Sequence, residues 1–140
     1  MIILDTNVLS ALMHSVPDAG VIAWLDDQPS ESVWITSVTE FESRFGLALL
    51  PDGKRRRGLE NAFERLLKDD LESRVLPFDS AAAAQAAVLA ARRQQTGQPV
   101  DMRDTQIAGI ALSRRAMIAT RNVRHFSDLN VPVVNPWGEA

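Results

Sequence analysis

Met1-Ile2-Ile3-Leu4-Asp5-Thr6-Asn7-Val8-Leu9-Ser10 runs from four apolar residues into three polar ones and back to an apolar pair. An apolar run without polar alternation reads as a strand covered on both faces. Asp, Thr and Asn are all good helix caps, so the strand should feed directly into a helix. The rest of the chain repeats that alternation. Strands are expected at Met1 to Leu4, Val33 to Ile35, Arg74 to Pro77, Met117 to Thr120 and Val131 to Val134, all short and rich in β-branched or apolar residues. Helices are expected at Thr6 to Met13, Asp18 to Asp26, Thr39 to Leu50, Arg56 to Asp70, Ser80 to Gln95 and Asp104 to Arg114. The alanine-rich Ala81 to Ala91 is simply a good helix sequence. Strands alternating with long helices indicate an α/β fold, one domain over residues 1–140, with a central, mostly parallel sheet flanked by helices. In such sheets ligands bind beyond the carboxyl ends of the strands, so the polar residues just after each strand carry the functional reading.

Composition narrows the chemistry. A chain of 140 residues with 46% hydrophobic content suits one folded domain. No apolar run reaches the ~20 residues a membrane span needs. The apolar start lacks a positively charged leader, which leads us to expect a cytoplasmic protein. With no cysteine, thiolate metal sites and cysteine nucleophiles are excluded, and two histidines, His14 and His125, are too few for a histidine-rich zinc site. Any metal must be held mainly by oxygen. A net charge of −3 argues against a generic nucleic-acid coat. Yet all but Lys54 and Lys68 of the 15 basic residues are arginine, in clusters such as Arg55 to Arg57, Arg92-Arg93 and Arg121 with Arg124. Arginine's planar fork suits phosphate, though each cluster is equally readable as a solvated helix face.

Four polar groups follow strands. Asp5 ends the first and is readable as a helix cap or as a ligand at the crevice rim. After the second, Thr39 with Glu42 fits a capping box, an alternative to a ligand role for Glu42; Glu40 points to another side and should face solvent. In Asp101-Met102-Arg103-Asp104, Asp101 reads as the helix cap, while Asp104 lies one turn before Ile107 and Ala108, near the buried side. Arg121-Asn122 follow the fourth strand. Carboxylates from three segments at one rim would repel each other unless a cation sat among them. Hard oxygen ligands favour Mg²⁺, with Mn²⁺ as the alternative.

Taken together, Ile2 to Ser10, Thr36-Ser37-Val38-Thr39 with Glu42 and Gly46, Leu76-Pro77-Phe78-Asp79, Gly97-Gln98-Pro99-Val100, Asp104-Thr105-Gln106-Ile107-Ala108, Thr120-Arg121-Asn122-Val123-Arg124 with Phe126, and Asn135-Pro136-Trp137 resemble the VapC and FitB branch of PIN-domain proteins. The match runs nearly end to end. The resemblance implies an endoribonuclease toxin using Mg²⁺ or Mn²⁺, restrained by a cognate VapB/FitA-like antitoxin and commonly a homodimer. It carries the acidic core onto Asp5, Glu42 and Asp104, with Glu42 preferred to Glu40 because it stands four residues before Gly46. Thr6, Asn7 and Thr120 match polar positions around that core. The fourth, often acidic position is Asn122 here, and His125 stands where an aspartate often precedes the phenylalanine; both changes reduce the negative charge. Arg121 could contact phosphate or pair with a carboxylate. Asp79 matches too but reads as a helix cap, and Trp137 as a packing anchor.

Two other classes compete. A phosphoaspartate phosphotransfer domain would use Asp5 but wants a lysine nearby and, in one type, an aspartate where Asn7 stands. A catalytically inactive binding protein of the same fold would not need all three acids. RNA rather than DNA as substrate is implied by the resemblance alone.

Overall fold

The first strand explains the layering of the whole molecule. The computed structural model describes residues 1–138, so the last two positions of the expected domain lie outside the described residues. In β1 (Ile2–Leu4) Ile3 joins one apolar core while Ile2 and Leu4 join a second on the opposite face. Helices cover both faces, so every side chain of the strand is buried and polar alternation has no place.

Five strands form one sheet in the order β3-β2-β1-β4-β5, all paired in parallel. They are β1, β2 (Val33–Thr36), β3 (Val75–Leu76), β4 (Met117–Ala119) and β5 (Val133–Val134). The helices are α1 (Thr6–Leu12), α2 (Ala19–Asp26), α3 (Ser37–Leu49), α4 (Lys54–Arg65), α5 (Ser80–Gln95) and α6 (Met102–Arg114). The expected α/β architecture is what forms. The edge strands are shorter than expected because Pro77 follows one and Pro132 precedes the other, and proline cannot extend a ladder.

Other boundaries moved for identifiable reasons. α3 starts at Ser37, two residues before the expected Thr39, because Thr36 caps it: the Thr36 hydroxyl accepts the Thr39 N–H at 3.1 Å. The expected Thr39–Glu42 capping box is therefore not formed, which leaves the Glu42 carboxylate free for other partners. The helix expected to run from Arg56 to Asp70 ends as α4 at Arg65 and widens over Leu66–Asp70 to i→i+5 bonding, with the Leu71 N–H on the Leu66 carbonyl at 2.9 Å. Leu67 and Leu71 both enter the second core across that widened turn. Asp101 and Asp79 cap α6 and α5 as expected, accepting the N–H groups of Asp104 and Ala82.

The alanine-rich α5 does more than favour helix. Ala82, Ala86 and Leu89 are buried against α6, and a Cβ at Gly109 would lie 2.5 Å from the Ala82 carbonyl oxygen. Small residues on both helices allow that close approach, and it fixes the position of α6 over the sheet. Among the described residues no helix is long and apolar enough to cross a membrane.

Candidate active site

β1 lies at the centre of the strand order, with β2 on one side and β4 on the other. The chain winds outward from β1 in both directions, so the crevice opens at the carboxyl ends of β1 and β4. Asp5 and Thr120 are the residues that follow those two strands, and both are buried.

Asp5 is held at both oxygens. One accepts the Thr6 N–H at 2.8 Å, the other the Thr120 hydroxyl at 2.7 Å. It is thus both the cap of α1 and the floor of the crevice; the two readings of the sequence are compatible. The Thr120 hydroxyl oxygen in turn accepts the Asn122 N–H at 3.0 Å and the Asn7 side-chain amide at 3.4 Å. The Asn7 carbonyl oxygen accepts the Arg121 N–H at 3.3 Å. Thr6, Asn7, Thr120 and Asn122 therefore stand in one network around Asp5.

Glu42 arrives from α3. One carboxylate oxygen accepts the Thr6 hydroxyl at 2.9 Å, and that hydroxyl also lies 3.1 Å from the buried Thr39 hydroxyl. The other oxygen accepts Arg103 Nη1 at 3.1 Å. Glu40 is engaged away from this network, paired with Arg44, which also holds Glu64. Asp104 arrives from α6 and lies 2.7 Å from His125 Nδ1.

The fields of these acids overlap. Burial pushes the Asp5 carboxyl above the usual aspartate range and the Asp104 charge adds to the rise, against the opposing hydrogen bonds from Thr120 and Thr6. Burial likewise raises Asp104, and Asp101 and Glu42 raise it further, against the opposing His125 contact. The donor set suits a divalent cation: oxygen only and negative. As the side chains stand, however, no three His, Asp or Glu groups among the described residues are arranged to hold an ion together. Glu42 is turned to Arg103 and Asp104 to His125, so occupancy requires those partners to be exchanged.

A second cleft, of about 610 Å³, begins at Thr6 and Glu42 and runs past Ser10, Met13 and Leu47 toward Leu59. On the other side of the site a cavity of about 620 Å³ is lined by Arg121, Asn122, Arg124, His125 and Asn135.

Some positions were not legible in sequence. Arg121 pairs with no carboxylate among the described residues; its guanidinium sits 4.8 Å from the centroid of the Trp137 ring. Trp137 itself packs on the second core, as an anchor should. Arg93, readable with Arg92 either as a phosphate-binding pair or as a solvated helix face, is buried and forks onto Asp128 with two bonds of 2.9 Å. It also bonds the Thr105 hydroxyl and the His125 carbonyl, tying α6 to the 3₁₀ turn Val123–Phe126. Arg103 and Thr39 were missed as site residues. The only signals for them were Arg103's place beside Asp104 and Thr39's place one turn before Glu42.

The PIN domain family model matches residues 2–131. Over its whole length the chain is 40% identical to the VapC ribonuclease Y4jK of Sinorhizobium fredii, covering all of that protein. It is 36% identical to Toxin FitB of Neisseria gonorrhoeae over 98% of this chain and 99% of that one. The crystal structure of FitAcB from Neisseria gonorrhoeae superposes with a TM-score of 0.84 at 34% identity, covering 99% of this chain and 100% of that one.

Proposed function

Because the chain belongs to the PIN-domain family, we propose that it is a Mg²⁺- or Mn²⁺-dependent endoribonuclease, the toxin half of a toxin–antitoxin pair of the VapBC or FitAB kind. The observation that carries this reading is that Thr6 bonds Asp5, just after β1, through its N–H and Glu42 of α3 through its hydroxyl, with the Asp104 charge of α6 acting on Asp5 from the same strand ends. Asp5, Glu42 and Asp104 would hold the cation. Bound there, it would supply Lewis acidity toward a phosphodiester and lower the pKa of an attacking water.

The chain's own residues have separate tasks. Thr120 and the Thr6 N–H fix Asp5 so that it does not reorganise on binding. The Thr6 and Thr39 hydroxyls orient Glu42. His125 steadies Asp104, and α6, docked through Gly109, sets its position. Asn122 holds the turn after β4 through its backbone and lines the adjoining cavity with Arg124, where RNA backbone would pass. Arg121, stacked on Trp137, also lines it and completes the substrate side with Thr6 and Asn7.

The proposed antitoxin, of VapB or FitA type, would place a helical segment in the cleft between α1, α3 and α4, which ends at Glu42. A basic side chain from it could pair with the acids and exclude the cation. The homodimer implied by the family would cover an exposed apolar stripe, Phe41, Phe45 and Leu49, on α3.

The test is cleavage of RNA with Mg²⁺ or Mn²⁺ by wild type and Asp5→Asn. A loss of about a thousandfold is expected, the equivalent of roughly 4 kcal/mol of transition-state stabilisation. Equal activity of the two proteins would remove the metal reading. Absence of cleavage by both, with RNA still bound, would favour the inactive binding protein. Against a phosphoaspartate role for Asp5, no lysine pairs with any of the three acids among the described residues.

A further inference from the structure

Two arginines near the site are held in opposite ways. Arg93 is buried and every arm of its fork is used, by Asp128, Thr105 and the His125 carbonyl. Arg103 makes a single bond, Nη1 to Glu42, and its side chain is 58% exposed. Its other donors have no partner among the described residues. It is the residue directly before Asp104 on the first turn of α6, so it stands at the mouth of the site.

The oxygen of Glu42 that Arg103 covers is the one Thr6 leaves open. A cation held by Asp5, Glu42 and Asp104 needs that oxygen, and it cannot accept a cation and a guanidinium with equal ease. Exposed ion pairs are weak, so the arrangement is exchangeable where that of Arg93 is not.

We propose that Arg103 is a counterion in cis that competes with the divalent cation for Glu42 and, once displaced, turns its guanidinium to a phosphate of the bound RNA. The proposal rests on the metal-dependent reading above. It makes Arg103 a placeholder and a substrate-binding residue in turn. The placeholder lowers the repulsion among the acids in the cation-free protein. The released fork matches two oxygens of a phosphate. The coupling also has a direction: the whole guanidinium, Nη1 included, is free for RNA only when Glu42 is occupied by metal.

The experiment titrates the intact, cation-free protein with Mn²⁺ by calorimetry, without RNA, for wild type, Arg103→Gln, Arg103→Lys and Asp5→Asn. Cleavage of a mixed-sequence single-stranded RNA pool is then followed for KM and kcat. Arg103→Gln should bind Mn²⁺ roughly two- to fivefold more tightly than wild type, the size of a lost exposed ion pair. Its KM for RNA should rise about tenfold, more than kcat falls. Arg103→Lys keeps the charge and should return both values toward wild type. Unchanged or weaker Mn²⁺ binding by Arg103→Gln overturns the competition. Tighter Mn²⁺ binding with unchanged KM overturns the transfer to phosphate. If wild type and Asp5→Asn take up Mn²⁺ equally, the metal reading itself fails, an outcome separate from these two.

Discussion

The two halves of the acidic crevice are built by different means. At the β1–β4 corner Asp5 is buried, its oxygens bonded to a backbone N–H and to a buried threonine just after the neighbouring strand. At the α3–α6 edge Glu42 and Asp104 rest on Arg103 and His125, whose side chains are more than half exposed. The corner is set by buried residues at the ends of two paired strands. The edge is set by side chains that water and ions can reach. A site that took a cation and a polymer, as proposed, would need both: one fixed ligand for geometry, and others whose partners can leave.

The comparison can be broken first beneath the edge, where Arg93 is its one deeply buried charge. Asp128→Ala leaves that guanidinium without its carboxylate, and a loss of about 3–5 kcal/mol is expected in chemical denaturation. The strong pairing already shows in Asp128, which Arg93 holds below the usual carboxylate range. A small loss would mean that the edge is anchored elsewhere.

Thr120→Val sharpens the picture of the corner. It removes the donor on Asp5 and the acceptor of the Asn122 N–H, at a cost of roughly 1–3 kcal/mol. The Thr120 hydroxyl opposes the rise in the Asp5 carboxyl. Without it Asp5 ionises only at higher pH, so the acid limb of the cleavage profile should move upward. An unmoved limb would show that Asp5 does not control it.

The smallest effect is expected at the edge. Asp104 has a higher pKa folded than the ordinary aspartate value of 3.8, chiefly because of burial. Between those two values the native state binds the proton more tightly, so stability falls as pH rises through the window, and the penalty is fully present above the folded value. Asp104→Asn should therefore raise Tm slightly at pH 7 in chelator, with the advantage vanishing below the ordinary value. A lowered Tm would mean that the His125 contact outweighs the burial. Together with Asp5→Asn and Arg103→Gln, these variants separate the fixed ligand from the exchangeable ones.

Much of this was legible in the chain. Apolar strands without alternation specify a sheet covered on both faces, and Asp5 follows a strand directly, so its place at the rim follows from local pattern; Thr120, expected inside the fourth strand, is instead the first residue after it. Asp101 and Asp79 are caps because capping depends on neighbours a turn away. The same local logic failed at Thr39 and Glu42. Thr36 offered an equally good cap three residues earlier, and the helix starts from it.

The sequence by itself determined the alternation of elements, the oxygen-only donor chemistry and the residues available at each strand end, because these depend on composition and near neighbours. Tertiary structure alone decided which distant side chains share a field: Glu42 with Arg103 across 61 positions, Thr120 with Asp5 across 115, and Arg93 with Asp128 in a buried pair. Coulomb forces and hydrogen bonds depend on distance in space, and only the folded sheet sets that distance.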